Sequence, residues 1–135
     1  MKVYISGKIG EEVISDATRQ KFARAEEMLK AKGYEVFNPC DEKWQDELKR
    51  GFETDRLGYK SFPNFYAYVL LRDMMALSTK GAVYFLEDWD KSPGALVEQT
   101  FVMAIGMKML WQRLEDALVF HYEKETAEDV WLPIV

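Results

Sequence analysis

The sequence predicts an α/β protein built on a parallel sheet, and three observations predict it. Short β-rich runs alternate with longer segments of helical periodicity from the first residues onward. The opening run, helix and second run form a βαβ unit, which calls for a parallel pair with a right-handed crossover. Further on, the apolar run Gly81-Ala82-Val83-Tyr84-Phe85-Leu86 reads as a buried strand and leads within a few residues to a Ser92-Pro93-Gly94 helix start.

Residues 2–6 alternate and are β-rich, and Gly7 ends them. A loop follows to about Ile14. Ser15 or Asp16 then caps a helix to about Lys32, with Phe22, Ala25 and Leu29 at helical spacing, Met28 beside them, and Gly33 as its stop. Residues 34–37 form the second strand, closed by Asn38-Pro39. Residues 40–63 are charged and aromatic, with Trp44, Phe52, Tyr59 and Phe62 and with breaks at Gly51 and Gly58. A short helix near 41–49 and a mobile loop after it are expected there. Residues 64–79 form a helix that is apolar on most sides, and 81–86 the third strand. Ser92 as cap and Pro93 as first helical residue open the next helix, which Gly106 ends. Residues 107–111 are the fourth strand, 114–121 a helix or a further strand, and the apolar tail 130–135 packs on the body or on a neighbouring subunit.

A chain of 135 residues suits one domain, 1–135, with a real core. The net charge of −5 argues against binding a nucleic acid polymer, which needs a basic face, although one local positive site suffices for a small anion. Cys40 and His121 are the only residues of their kinds, so neither a disulfide within the chain nor a cysteine- or histidine-rich metal site can form. No segment approaches the length and apolarity of a membrane span, and the first residues are too short an apolar run for a signal peptide. A cytoplasmic protein is the expectation.

The chemistry gathers on two acids. Glu98 stands within the otherwise apolar segment 95–106, one turn after Gly94. The backbone N–H groups of Gly94 and Ala95 at the helix start are expected to be free for an anion, and a phosphate held there lies about one 5.4 Å turn from the Glu98 carboxylate. Asp73 shares a helical stripe with Tyr66, Val69, Leu70 and Leu77, which puts a carboxylate on an apolar face. Burial raises the pKa of such a group unless it is paired, and neighbouring Arg72 is the obvious partner for a purely structural pair. Both acids follow elements that flank the third strand, beside which the first strand, carrying Tyr4 and ending in Ser6-Gly7-Lys8, should lie. Open α/β sheets bind ligands at such strand ends. Two carboxylates with a phenol nearby suit chemistry at an anomeric carbon, one as nucleophile or electrostatic stabiliser and the other as acid toward the leaving group; Lys8 adds charge for a phosphate.

Val3-Tyr4-Ile5-Ser6-Gly7, then Phe22 with Ala25-Glu26, Gly33 through Pro39, Arg72-Asp73-Met74, residues 81–86 and Ser92-x-Gly94-x-x-x-Glu98 occur in this order. The set resembles the nucleoside 2-deoxyribosyltransferase superfamily, which includes 2′-deoxynucleoside 5′-phosphate N-hydrolases, over about residues 2–111. The Trp89-x-x-Ser92-x-Gly94-Ala95 form looks closest to its short uncharacterised members. The resemblance implies a doubly wound, flavodoxin- or Rossmann-like parallel sheet of about five strands in a homodimer or larger homo-oligomer. It implies that Glu98 attacks the sugar, Asp73 protonates or contacts the departing base, Tyr4 orients the glutamate, and Ser92 and Gly94 hold a 5′-phosphate. The partner it implies is a small nucleoside or nucleotide, with no metal or organic cofactor. Gln99-Thr100-Phe101-Val102 is bulkier than the Glu-x-Gly-x-Ala pattern of many relatives, so Thr100 and Val102 are expected to crowd the far side of Glu98. The expectation is N-glycosidic cleavage or transfer on a nucleoside or nucleoside 5′-monophosphate, hydrolysis favoured. The alternative is a non-catalytic nucleotide-binding or sensing domain of the same fold.

Overall fold

In a computed structural model, residues 1–10, 13–54 and 62–134 are described. Among them four parallel strands, β1 (Lys2–Ser6), β2 (Glu35–Phe37), β3 (Ala82–Phe85) and β4 (Lys108–Trp111), form one sheet in the order β2-β1-β3-β4. Helix α1 (Asp16–Ala31) links β1 to β2, α2 (Glu42–Glu53) and α3 (Phe65–Leu77) lie between β2 and β3, and α4 (Pro93–Ile105) joins β3 to β4. Two short helices, α5 (Leu114–Val119) and α6 (Ala127–Val130), follow. The chain first steps from β1 to β2, then reverses past β1 to β3 and β4. Right-handed crossovers therefore place α1 on one face and α3 and α4 on the other, the flavodoxin- and Rossmann-like winding.

The central strands β1 and β3 read as expected because they are buried on both faces. Val3, Tyr4 and Ile5 in β1 and all of β3 are buried, as central parallel strands covered by helices should be. The Ser15 side chain caps α1 at the Thr18 N–H, its buried residues are Phe22, Ala25 and Leu29, and Gly33 follows its end at φ +92°. Ser92 caps α4, Pro93 occupies its first turn, and Gly106 closes it in the left-handed region at φ +69°.

Among the described residues the sheet has four strands, close to the five or so expected. The place beside β4 is taken by the tail, whose pairing shrinks to a single parallel bridge between Trp111 and Trp131. The Leu132 N–H donates to the Trp111 carbonyl at 2.8 Å, the Tyr84 hydroxyl to the Leu132 carbonyl at 2.6 Å, and Val130 is buried, so residues 130–132 pack on their own body. Pro133 lacks the N–H that a longer ladder needs. Residues 114–119 are helical, which settles the open choice there.

Helix α2 runs one turn beyond the expected 41–49, through Gly51. That glycine is not a break. A Cβ there would overlap the Tyr68 hydroxyl and lie 3.1 Å from Arg72 Nη1, so its absence is what lets α2 lie against α3. Tyr68 is wholly buried, with the rings of Phe52, Phe62 and Phe65 around it, and cannot swing aside. Gly51→Ala should lower stability by about 1–3 kcal/mol despite the better helix propensity of alanine, read as a fall in the urea midpoint; an unchanged or higher midpoint would show that α2 can back away freely. The loop expected after this helix, with Gly58 and Tyr59, falls on residues 55–61, outside the described residues, as does Val135.

Candidate active site

The reversal of strand order leaves a crevice at the carboxyl ends of β1 and β3, where Ser6 stands opposite Phe85. A cleft of about 350 Å³ opens there. Tyr4 reaches it from β1, Gly7 and Lys8 from the loop after β1, Asp73 from α3, and Ser92, Gly94, Ala95 and Glu98 from the start of α4. The stripe read on the sequence is the wall of this cleft: Tyr66, Val69, Leu70 and Asp73 face it together, while Leu77 continues into the core.

Two sets of contacts hold the loops in place. The Lys21 ammonium meets Asp88 Oδ2 at 2.5 Å and the Lys8 carbonyl at 2.7 Å, and Asp88 Oδ1 accepts from the Lys8 N–H at 3.0 Å, tying the loop after β1 to the loop after β3. Below the start of α4, the Trp89 indole donates to Asp116 Oδ2 at 3.0 Å, and Arg113 bridges Asp116 and Asp90 at 2.8 and 3.1 Å. The helix start is thus fixed from behind.

Among the described residues, each acid has one oxygen held and one unbonded. Glu98, only 6 % exposed, accepts from the Ser6 hydroxyl on Oε1 at 2.9 Å, while Oε2 is buried with no hydrogen-bond partner among the described residues. Tyr4 stands close enough for its phenol to favour the ionised form of Glu98, yet makes no bond of good geometry to the orphan oxygen. Asp73 accepts on Oδ1 from the Trp44 indole at 2.9 Å. Burial first, and then the Asp73 charge, push Glu98 up to about 8, with Ser6 and Tyr4 opposing. Burial pushes Asp73 up to about 7 against the Trp44 bond and the Arg72 charge. Both carboxyls are thus raised, and the charge on Asp73 acts on Glu98, so the two titrate as coupled groups. The Tyr4 phenol is raised well above its ordinary range by burial and then by Glu98, so it remains a neutral donor.

Four expectations change. Ser6 does not line the cleft: it is buried beneath, with its hydroxyl spent on Glu98. The Ala95 N–H is not free, because the Ser92 hydroxyl that caps the helix accepts from it at 3.2 Å; among the described residues the Gly94 N–H is left for an anion. Thr100 does not crowd Glu98, since it lies exposed on the outer face of α4 with its hydroxyl on the Leu96 carbonyl. Val102, by contrast, is core. Arg72 does not form the structural pair with Asp73 either, but reaches Glu47 and the Tyr68 hydroxyl. Gly7 lines the cleft, and a Cβ there would press on Leu86 at 2.7 Å. Gly94 does face the cleft, where its missing Cβ leaves room 3.2 Å from the Tyr66 hydroxyl.

Sequence reasoning missed Trp44 and Gln45, both from α2. The signal was there: Trp44, Leu48 and Gly51 recur at spacings of four and three, one face of a helix. Among the described residues no three His, Cys, Asp or Glu side chains group as a metal site. No curated protein and no solved structure matches the chain. The model of the family described as a domain of unknown function, DUF4406, matches residues 1–111, from β1 to the end of β4 and including both acids. The chain belongs to the DUF4406 family.

Proposed function

We propose that the protein cleaves, or transfers across, the N-glycosidic bond of a nucleoside or nucleoside 5′-monophosphate, with hydrolysis the favoured outcome. One observation carries the reading: two buried carboxylates and a phenol converge on a single largely apolar cleft at a strand-order reversal, beside a helix start with an open Gly94 N–H. Apolar walls suit a base, and the helix dipole with Lys8 suits a phosphate. The Glu98 carboxylate attacks the anomeric carbon, the C–N bond breaks, and the base nitrogen takes the bonding pair and the Asp73 proton. Water then attacks the glycosyl ester, giving its proton to Asp73 and freeing Glu98.

A panel of nucleosides and nucleoside 5′-monophosphates, assayed by chromatography for released base, tests this. Release from at least one deoxynucleotide is expected; none from folded protein, across the panel, sinks the reading. Binding without turnover is the second reading, favoured by the burial that keeps a proton on Glu98 at neutral pH; nucleotide binding by calorimetry without product would establish it. The reading is of a cytoplasmic homo-oligomer. Exposed Leu71 and Met75 on α3 and Leu96, Val97 and Met103 on α4 support self-association. Among the described residues no helix is long and apolar enough to cross a membrane.

A further inference from the structure

We propose that Trp44 is a positioning residue for Asp73: its indole N–H holds Oδ1 as an acceptor and so confines the carboxyl proton of Asp73 to Oδ2. An indole nitrogen donates and never accepts. With Oδ1 taking that bond at 2.9 Å, a proton on the same oxygen would oppose the donor, so the acidic proton resides on the other oxygen. Glu98 differs in kind. Its held oxygen faces a Ser6 hydroxyl, which can rotate to donate or to accept, so either oxygen of Glu98 can carry a proton.

The indole is itself held on its other sides. Its ring meets Phe37 edge-on at 5.1 Å, and Phe37 stacks on Tyr4 at 5.4 Å, so one aromatic column joins the partner of Asp73 to the neighbour of Glu98. The Arg72 guanidinium lies 5.3 Å from the centre of the Trp44 ring, and Arg72 is fixed in turn by the Tyr68 hydroxyl and Glu47. Trp44 therefore cannot turn away as Asp73 gains or loses its proton. Among the described residues, the charged and titratable groups that line the cleft with Asp73 or act on it are Glu98 from α4, Tyr4 from β1, Lys8 from the loop after β1, and Tyr66 and Arg72 from its own helix. The role of the directed proton as acid toward a base rests on the proposed function; its location does not.

The unmutated protein supplies the first test. In ¹⁵N-tryptophan-labelled protein without ligand, the Trp44 indole resonance, assigned by its absence in Trp44→Phe, should shift sigmoidally with pH. The sigmoid should vanish in Asp73→Asn. The Trp131 indole, which donates to the Gln112 carbonyl, should stay flat and serves as control. A flat Trp44 resonance across the titration of the Asp73 carboxyl carbon overturns the proposal, as does a sigmoid that survives Asp73→Asn.

The second test is kinetic. Trp44→Phe keeps the ring and removes the donor, so Asp73 holds its proton more tightly. The limb of the base-release pH profile that Asp73 governs should move up by on the order of one pH unit. A lower rate with an unmoved limb would mean that the indole only fills space, and would overturn the positioning role. If the unmutated protein releases no base, the proposed function fails while the indole titration still decides whether Trp44 holds the Asp73 carboxyl as it changes charge.

Discussion

Glu98→Gln is expected to abolish base release, lowering kcat by about a thousandfold or more, the scale on which loss of a covalent nucleophile is felt. Glutamine keeps the volume of the side chain, and its carbonyl can still accept from the Ser6 hydroxyl that now bonds Oε1. What it lacks is the charge to attack an anomeric carbon. Binding should survive, because the cleft walls and the Gly94 N–H are untouched, and calorimetry with the same nucleotide checks this. A variant that releases base at the unmutated rate would remove Glu98 from the mechanism. A variant that neither turns over nor binds would show that the carboxyl is a binding group first.

The same substitution should make the protein more stable in alkali. An unfolded chain loses the Glu98 proton around its ordinary value of 4.5, whereas the folded protein keeps it to about 8. Between those values the folded state binds the extra proton, so each rise in pH favours unfolding. The stability from the neutral form is whole below the lower value and is lost as pH climbs through the upper one. Asp73 adds a loss of the same sign between 3.8 and about 7. Each unit of difference is worth about 1.4 kcal/mol. Glu98→Gln removes one of these losses and, by taking away a neighbouring charge, eases the other. Urea midpoints of variant and unmutated protein should nearly coincide near pH 4 and diverge by pH 8.5, with the variant ahead by on the order of 3 kcal/mol. Parallel curves over that range would show that Glu98 is not held neutral by the fold.

The cost of that neutrality explains what was legible in the sequence. Parallel strands, the cap Ser92 and the stops Gly33 and Gly106 are local signals, each decided by residues within a turn or two, and they stand where the pattern put them. Glu98 and Asp73 were visible because an acid among apolar neighbours is costly and must have a reason. Long-range pairings were not visible. That Trp44 would serve Asp73 and Ser6 would serve Glu98 depends on contacts across 29 and 92 residues, which no periodicity encodes. Gly51 was misread for a related reason: a glycine inside a helix looks like an ending until the tyrosine it must admit is known. The open N–H at Ala95 was misjudged because one residue type, a capping serine, can either leave that donor to a ligand or take it.

The tail on β4 has a consequence for the protein at high concentration. A sheet ends in strands whose outward N–H and C=O groups invite pairing with another chain. At one end β2 has only three residues, too short to template much. At the other, β4 would offer buried-type residues, Met109, Leu110 and Trp111, along an open margin. There the Leu132 N–H takes the Trp111 carbonyl, the Trp131 indole takes that of Gln112, and Pro133 has no N–H to continue the ladder. The tail thus begins a strand and stops it, shielding the carboxyl end of β4 from growth into a fibre.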